Sequence, residues 1–191
     1  MPFIHTVSPE DATGTLKEIY DEQIQKLGYI PNYHKTFSLR PEASLAWRNL
    51  QTTIRSKMRL RRFELVTFAA ALALKCTYWL FAHGAVLRKN FFTAEQLIAI
   101  TNDYHTAGMD PAEVAMMAFV EKIIKDQHSI HQQDVDELRK HGYSDEDVLD
   151  IVLAASARAF YTKVLDSLGA EPDDAYQELE PELRAALAKE R

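Results

Sequence analysis

Three residues of this 191-residue chain carry side chains able to make and break bonds at a suggestive spacing: Glu64, Cys76 and His83. Cys76 and His83 are seven residues apart, two helical turns, which places both on one helix face within about 10 Å along the axis. A thiol needs a nearby base or cation to become the thiolate that attacks peroxides and disulfides, and a histidine two turns away can supply it through an intervening group. Glu64 is the natural third member, orienting the imidazole or relaying its proton. It precedes Cys76 by twelve residues, about 120° around a straight helix, so the three converge only if the helix kinks or a second subunit contributes. Without such convergence Cys76 reads as a small core hydrophobe and His83 as a satisfied buried polar group. His128 and His131 share a helical face but lack an evident third ligand, so no metal is expected. Tyr33, His34 and Lys35 follow the Pro31 turn and read as exposed loop residues that could line a pocket mouth or bind an anion.

The elements that must position these groups are helices. The chain has 6 Gly and 7 Pro, too few to punctuate the many short strands of a sandwich, and 47% hydrophobic against 26% charged residues marks an ordinary globular protein. A single cysteine excludes intrachain disulfides and multi-cysteine zinc sites. A net charge of −6 argues against a general nucleic-acid partner. The longest apolar stretch, Leu65 to Leu74, is well short of a bilayer span, and Met1-Pro2-Phe3-Ile4-His5 lacks the features of a secretory signal, so no membrane partner and a cytoplasmic location are expected.

One domain over residues 1–191 is expected, all-α throughout. Ser8-Pro9-Glu10-Asp11 resembles a capped helix start, and Gly28 with the Ile30-Pro31-Asn32 turn ends that helix. Arg40-Pro41-Glu42 opens a second, with Leu45, Ala46, Leu50 and Ile54 as its apolar stripe and Trp47 beside it. A third runs from about residue 61 to 88, apolar on almost every face, as a helix in the middle of a bundle or oligomer would be. The basic run Arg59, Arg61 and Arg62 opens it and is expected to pair with acids of another subunit. Thr93-Ala94-Glu95-Gln96 fits a capping box, and Ala115, Met116, Phe119, Ile123 and Ile124 form the stripe of the helix after Pro111. Met109, Met116 and Met117 are core filler. Asp134 to His141 closes at Gly142, and Ser144-Asp145-Glu146-Asp147 caps a helix over about 145–168 that Gly169 ends. Asp173 to Lys189 reads as a polar outer or exchanged helix.

A shift of 83 residues sets Glu64 on Asp147, Ala71 on Ala154, Lys75 on Arg158, Cys76 on Ala159 and Tyr78 on Tyr161. Two helices with the same acidic start and Ala-rich middle could be packing equivalents about a pseudo-twofold, although degenerate apolar periodicity produces such matches unaided. Only the first copy carries sulfur and imidazole.

Arg61-Arg62-Phe63-Glu64 followed by Lys75-Cys76-Thr77-Tyr78-Trp79-Leu80-Phe81-Ala82-His83-Gly84 resembles the signature of the carboxymuconolactone decarboxylase and alkyl hydroperoxidase D-like superfamily. There a glutamate precedes a Cys-x-x-Cys-x-x-x-His segment at this spacing. Ile30 to Lys35, Arg40-Pro41-Glu42 and the Gly142 to Gly169 segment are similar to its peroxidase-related branch. The resemblance implies an all-helical homo-oligomer. In redox-active members a dithiol reduces peroxides and is recharged by a thiol partner. Carried over, Glu64 and His83 are the proton-relay carboxylate and imidazole and Cys76 the first cysteine, with Tyr78 and Trp79 in the pocket.

The second cysteine of the pattern falls on Trp79, so the internal disulfide of a two-cysteine cycle cannot form. The first expectation is therefore a peroxidase-related oxidoreductase of antioxidant defence. In it Cys76 is oxidised to sulfenic acid and resolved by an external thiol, from a reductant protein or a small molecule. The alternatives are a cofactor-free lyase using His83 and Glu64 on a small organic acid, or a non-catalytic binding protein that kept the fold. No cofactor is expected in any of the three. Trp79 would wall an apolar pocket and raise the thiol pKa, which disfavours the nucleophile.

Overall fold

A computed structural model of the chain describes residues 2–188. Among these the fold is entirely helical, in the order α1 (Gly14–Leu27), α2 (Asn32–Thr36), α3 (Pro41–Arg55), α4 (Leu60–Leu74), α5 (Thr77–Asn90), α6 (Ala94–Asp103), α7 (Pro111–Asp126), α8 (Gln132–Lys140), α9 (Asp145–Ser167) and α10 (Pro181–Leu187), with 3₁₀ turns at Gln127–Ser129 and Asp174–Glu178. Its centre is α4, buried without interruption from Phe63 to Ala71. The small Ala69, Ala70 and Ala71 let α5, α7 and α9 pack around it.

The expected single helix over 61–88 is instead two. Lys75 takes the left-handed conformation (φ 55°, ψ 36°). The Cys76 N–H then donates to the Ala71 carbonyl at 3.0 Å and the Lys75 N–H to that of Leu72 at 3.1 Å. These are the paired bonds of a Schellman stop, usually built on glycine. Cys76 (φ −88°, ψ 98°) then serves as N-cap of α5. Glycine does occupy the left-handed position where the same stop ends α9, at Gly169 (φ 68°).

Other boundaries differ for identifiable reasons. Ser8 to Asp11 folds into a turn in which the Ser8 hydroxyl takes the Asp11 N–H, so α1 starts only after Thr13. On α3 the buried residues are Ser44, Trp47 and Ile54, while Leu50 is 50% exposed. The stripe is rotated because Trp47 packs 3.9 Å from Tyr161 and its indole N–H reaches the Ala157 carbonyl. The expected helix from Asp173 to Lys189 is broken at Pro181, which forces Glu180 into an extended conformation (ψ 136°) and takes the first position of α10; Lys189 lies outside the described residues. α10 is docked rather than peripheral, packing on α5 and α6 with Leu183 and Leu187 fully buried. A Cβ on Gly84 would stand 2.9 Å from Leu187, so that glycine permits the approach. The expected partners of Arg61 and Arg62 were acids of another subunit; the pairs formed are with Glu113 and Asp147 of this same chain. The expected caps at Thr93 and Ser144 both form complete capping boxes.

Candidate functional site

The break at Lys75 supplies the kink that a straight helix would lack. Because α5 turns back against α4, His83 Nδ1 lies 2.7 Å from Glu64 Oε2, with both residues more than nine-tenths buried. With the Glu64 carboxylate accepting the Nδ1 proton, the free lone pair of the ring is on Nε2. Nε2 is buried and has no hydrogen-bond partner among the described residues. Burial is the first cause that lowers the His83 pKa below its ordinary value, and the charge of Arg158 is the second; Glu64 opposes both. The imidazole is therefore neutral at neutral pH and able to accept a proton.

Cys76 does not join this pair. Its Sγ sits 3.5 Å from Asp166 Oδ1 on α9. Burial first, and then the Asp166 carboxylate, push the thiol up to about 12; the Trp79 backbone N–H and Arg158 oppose them. Trp79 does reach His83, ring centroids 5.6 Å apart, and forms one wall of the site. Its indole nitrogen is buried without a hydrogen-bond partner among the described residues. Tyr78 packs its ring against Trp79, centroids 5.1 Å apart, and turns its hydroxyl to Asp173. Its hydroxyl donates to Asp173 Oδ2 at 2.6 Å and accepts from the Tyr33 N–H, while Asp173 Oδ1 takes the Asn32 N–H at 2.6 Å. Tyr78 thus fastens the C-terminal stretch to the start of α2.

That clasp holds α2 over the site, correcting the reading of Tyr33 to Lys35 as exposed loop. His34 is only 3% exposed with both ring nitrogens unpartnered, and burial, with Arg48 second, draws its pKa down to about 4. Tyr33 covers Trp79 with a centroid separation of 5.6 Å. Two grooves lie apart from the cluster. One of about 510 Å³ runs along the ends of α4 and α6, past Lys75, Tyr104 and Glu121, and one of about 630 Å³ borders Tyr29, Lys35 and Asp174.

The residue that sequence reasoning missed is Arg158. It is 1% exposed in the middle of α9, its guanidinium carbon 3.7 Å above the Trp79 ring and 5.4 Å from that of Trp47. Its Nε and Nη1 lack hydrogen-bond partners among the described residues. Burial lowers its pKa to about 10, which leaves it charged at neutral pH. The available signal was an arginine in register with the apolar stripe Ile151, Ala154, Ala155, Tyr161 and Leu165. No group of three His, Cys, Asp or Glu residues able to hold a metal occurs among the described residues, and none of their helices is long and apolar enough to cross a membrane.

Residues 41–122, which hold Glu64, Cys76, Trp79 and His83, match the sequence profile of the carboxymuconolactone decarboxylase family. This match, together with the fold, supports the carboxymuconolactone decarboxylase superfamily. Solved structures share its fold. A peroxidase-related protein of Ralstonia eutropha JMP134, described as an alkylhydroperoxidase AhpD core, has 24% identity and a TM-score of 0.83 over 92% of this chain and 94% of its own. A peroxidase-related protein of Silicibacter sp. TM1040 has 23% identity and a TM-score of 0.78 over 85% and 86%. The debrominase Bmp8 has 16% identity and a TM-score of 0.75 over 95% and 96%; a cysteine-to-alanine form of it was crystallised with 2,3,4-tribromopyrrole. No curated protein matches the sequence. Arg158 lies outside the segment that the superfamily profile covers.

Proposed function

We propose that this protein is an acid–base enzyme of lyase type acting on a small organic acid, with His83 Nε2 as the proton-transferring atom and Glu64 holding the ring. The observation that carries this reading is the buried Glu64–His83 pair at 2.7 Å with Nε2 unpartnered. A proton leaves the substrate for Nε2, and the imidazolium that forms is stabilised by the Glu64 carboxylate already bonded to Nδ1. Positioned acid–base catalysis of this kind contributes about 10² to 10⁴ in rate.

The one-cysteine peroxidase cycle has less support. A thiol raised to about 12 beside a carboxylate is almost wholly protonated at neutral pH, and its described hydrogen bond runs to Asp166 and not to a base. The two readings separate by substitution. In a screen of small organic acids followed by product formation, His83→Ala abolishes turnover while Cys76→Ser retains it. Turnover that survives His83→Ala, or hydroperoxide consumption with an external dithiol that Cys76→Ser removes, overturns the acid–base reading. Because burial holds the His83 pKa below its ordinary 6.5, the acid limb of the rate profile falls below pH 6.5.

A further inference from the structure

The guanidinium of Arg158 is a buried cation whose neighbours are occupied elsewhere. The groups acting on it are Cys76 of α5, Glu64 of α4, Tyr161 of its own α9 and Tyr33 of α2. Of these, Glu64 is already bonded to His83 and Tyr161 to Ser44. Two of its three nitrogens have no hydrogen-bond partner among the described residues, and the indole face of Trp79 lies against it. Around it stand further unpartnered polar atoms: Trp79 Nε1, Thr162 Oγ1 and His83 Nε2. A buried charge left in this state is costly unless something pairs with it.

We infer that Arg158 is the anion-binding residue of this site, taking the carboxylate of a compact monocarboxylic acid whose apolar body rests against Trp79 and Tyr33. This inference rests on the acid–base reading for the role of His83, but the binding it describes is separately measurable. A planar guanidinium offers its N–H groups in a fork that matches a carboxylate, and one bound there takes the Nε and Nη1 protons that no described side chain takes. Trp79 touches both Arg158 and His83, so a small acid held by the first presents its body to the Nε2 lone pair of the second. The walls are aromatic: Tyr33, Trp79 and Tyr161 lie with centroids 5.6 to 6.0 Å apart. Of these three only Tyr33, on the five-residue α2, is partly exposed, so a ligand is expected to enter there.

The chain has 2 tryptophans, and both face Arg158, so intrinsic fluorescence reports directly on this site. Titration with benzoate at constant ionic strength, in a buffer free of carboxylates, is expected to give a saturable change. The neutral isostere benzamide binds at least tenfold more weakly. Arg158→Met weakens benzoate at least tenfold, Arg158→Lys less, and His83→Ala leaves it within a few-fold, with helical circular dichroism checking that each variant folds. Equal benzoate affinity in wild type and Arg158→Met, equal affinity for benzoate and benzamide, or no saturable change in wild type overturns the inference. Arg158-dependent benzoate binding in a protein that turns over no organic acid through His83 leaves this inference standing and removes the acid–base reading. Turnover through His83 with a KM unchanged by Arg158→Met does the reverse.

Discussion

The α4–α5 pair and α9 are built from similar material and behave differently. Both are long apolar runs with an Ala-rich middle, and α9 packs directly on α4. Yet one is interrupted at Lys75 and the other continues unbroken from Asp145 to Ser167. On a straight helix Glu64 and His83, nineteen residues apart, would be separated by about 28 Å along the axis. The interruption brings them into contact, whereas the continuous helix carries Arg158 to the same place from the other side. Contact between distant groups needs a break, and delivery of one long side chain needs none. In the 83-residue alignment the two segments part company at the position where Lys75 falls on Arg158.

The contrast breaks most severely at the contact that the interruption creates. Glu64→Ala leaves the His83 Nδ1–H buried and unpaired, and is expected to destabilise the fold by about 3 kcal/mol by urea denaturation. Glu64→Gln, which can still accept, loses less. A Glu64→Ala midpoint equal to wild type would show that the pair does not hold α5 to α4.

His34, the buried histidine with no such partner, sharpens the point through pH. Its pKa is drawn from 6.5 down to about 4 in the folded state, so the unfolded chain takes up the proton first as pH falls. Its contribution is neutral above pH 6.5. Between pH 6.5 and 4 it costs stability progressively, about 3 kcal/mol in all. His34→Gln is expected to flatten the stability profile across that window, and an unchanged slope would count against a neutral buried imidazole.

On the continuous helix the sign reverses. Arg158→Met removes a buried charge that no side chain pairs with and substitutes an apolar side chain, so a gain of about 2 kcal/mol is expected, read as a higher Tm, together with lost ligand binding. A lower Tm would mean that the cation is structurally required. The smallest effect lies at the break itself. Lys75 is exposed and left-handed, so Lys75→Gly relieves its Cβ and stabilises by about 1 kcal/mol without altering turnover.

How far the sequence discloses all this follows from the same residues. The all-α class, the caps at Thr93 and Ser144 and the stop at Gly169 are local signals written in residue type, and each appears where expected. The Glu64, Cys76, Trp79 and His83 set was legible as a motif, but its geometry was not. A left-handed lysine carries no residue-type signature, so the run through Leu74 and Lys75 looks continuous. The role of Cys76 hinges on Asp166, ninety residues away, and Arg158 acquires meaning only once Trp79 lies beneath it. Such long-range pairings leave at most an out-of-place polar residue in an apolar stripe.

The clasp at Asp173 has a consequence for synthesis. The first backbone donor of α2, the Asn32 N–H, is satisfied by a carboxylate 141 residues further along the chain, the same carboxylate that takes the Tyr78 hydroxyl. While the polypeptide is still emerging from the ribosome, α4 and α5 can assemble their Glu64–His83 contact, but α2 has only its Tyr33 contacts to α5 and lacks the Asp173 carboxylate. The aromatic wall around Trp79 therefore stays without this clasp until synthesis has passed Asp173, and a residue made long after the wall is the one that closes the site.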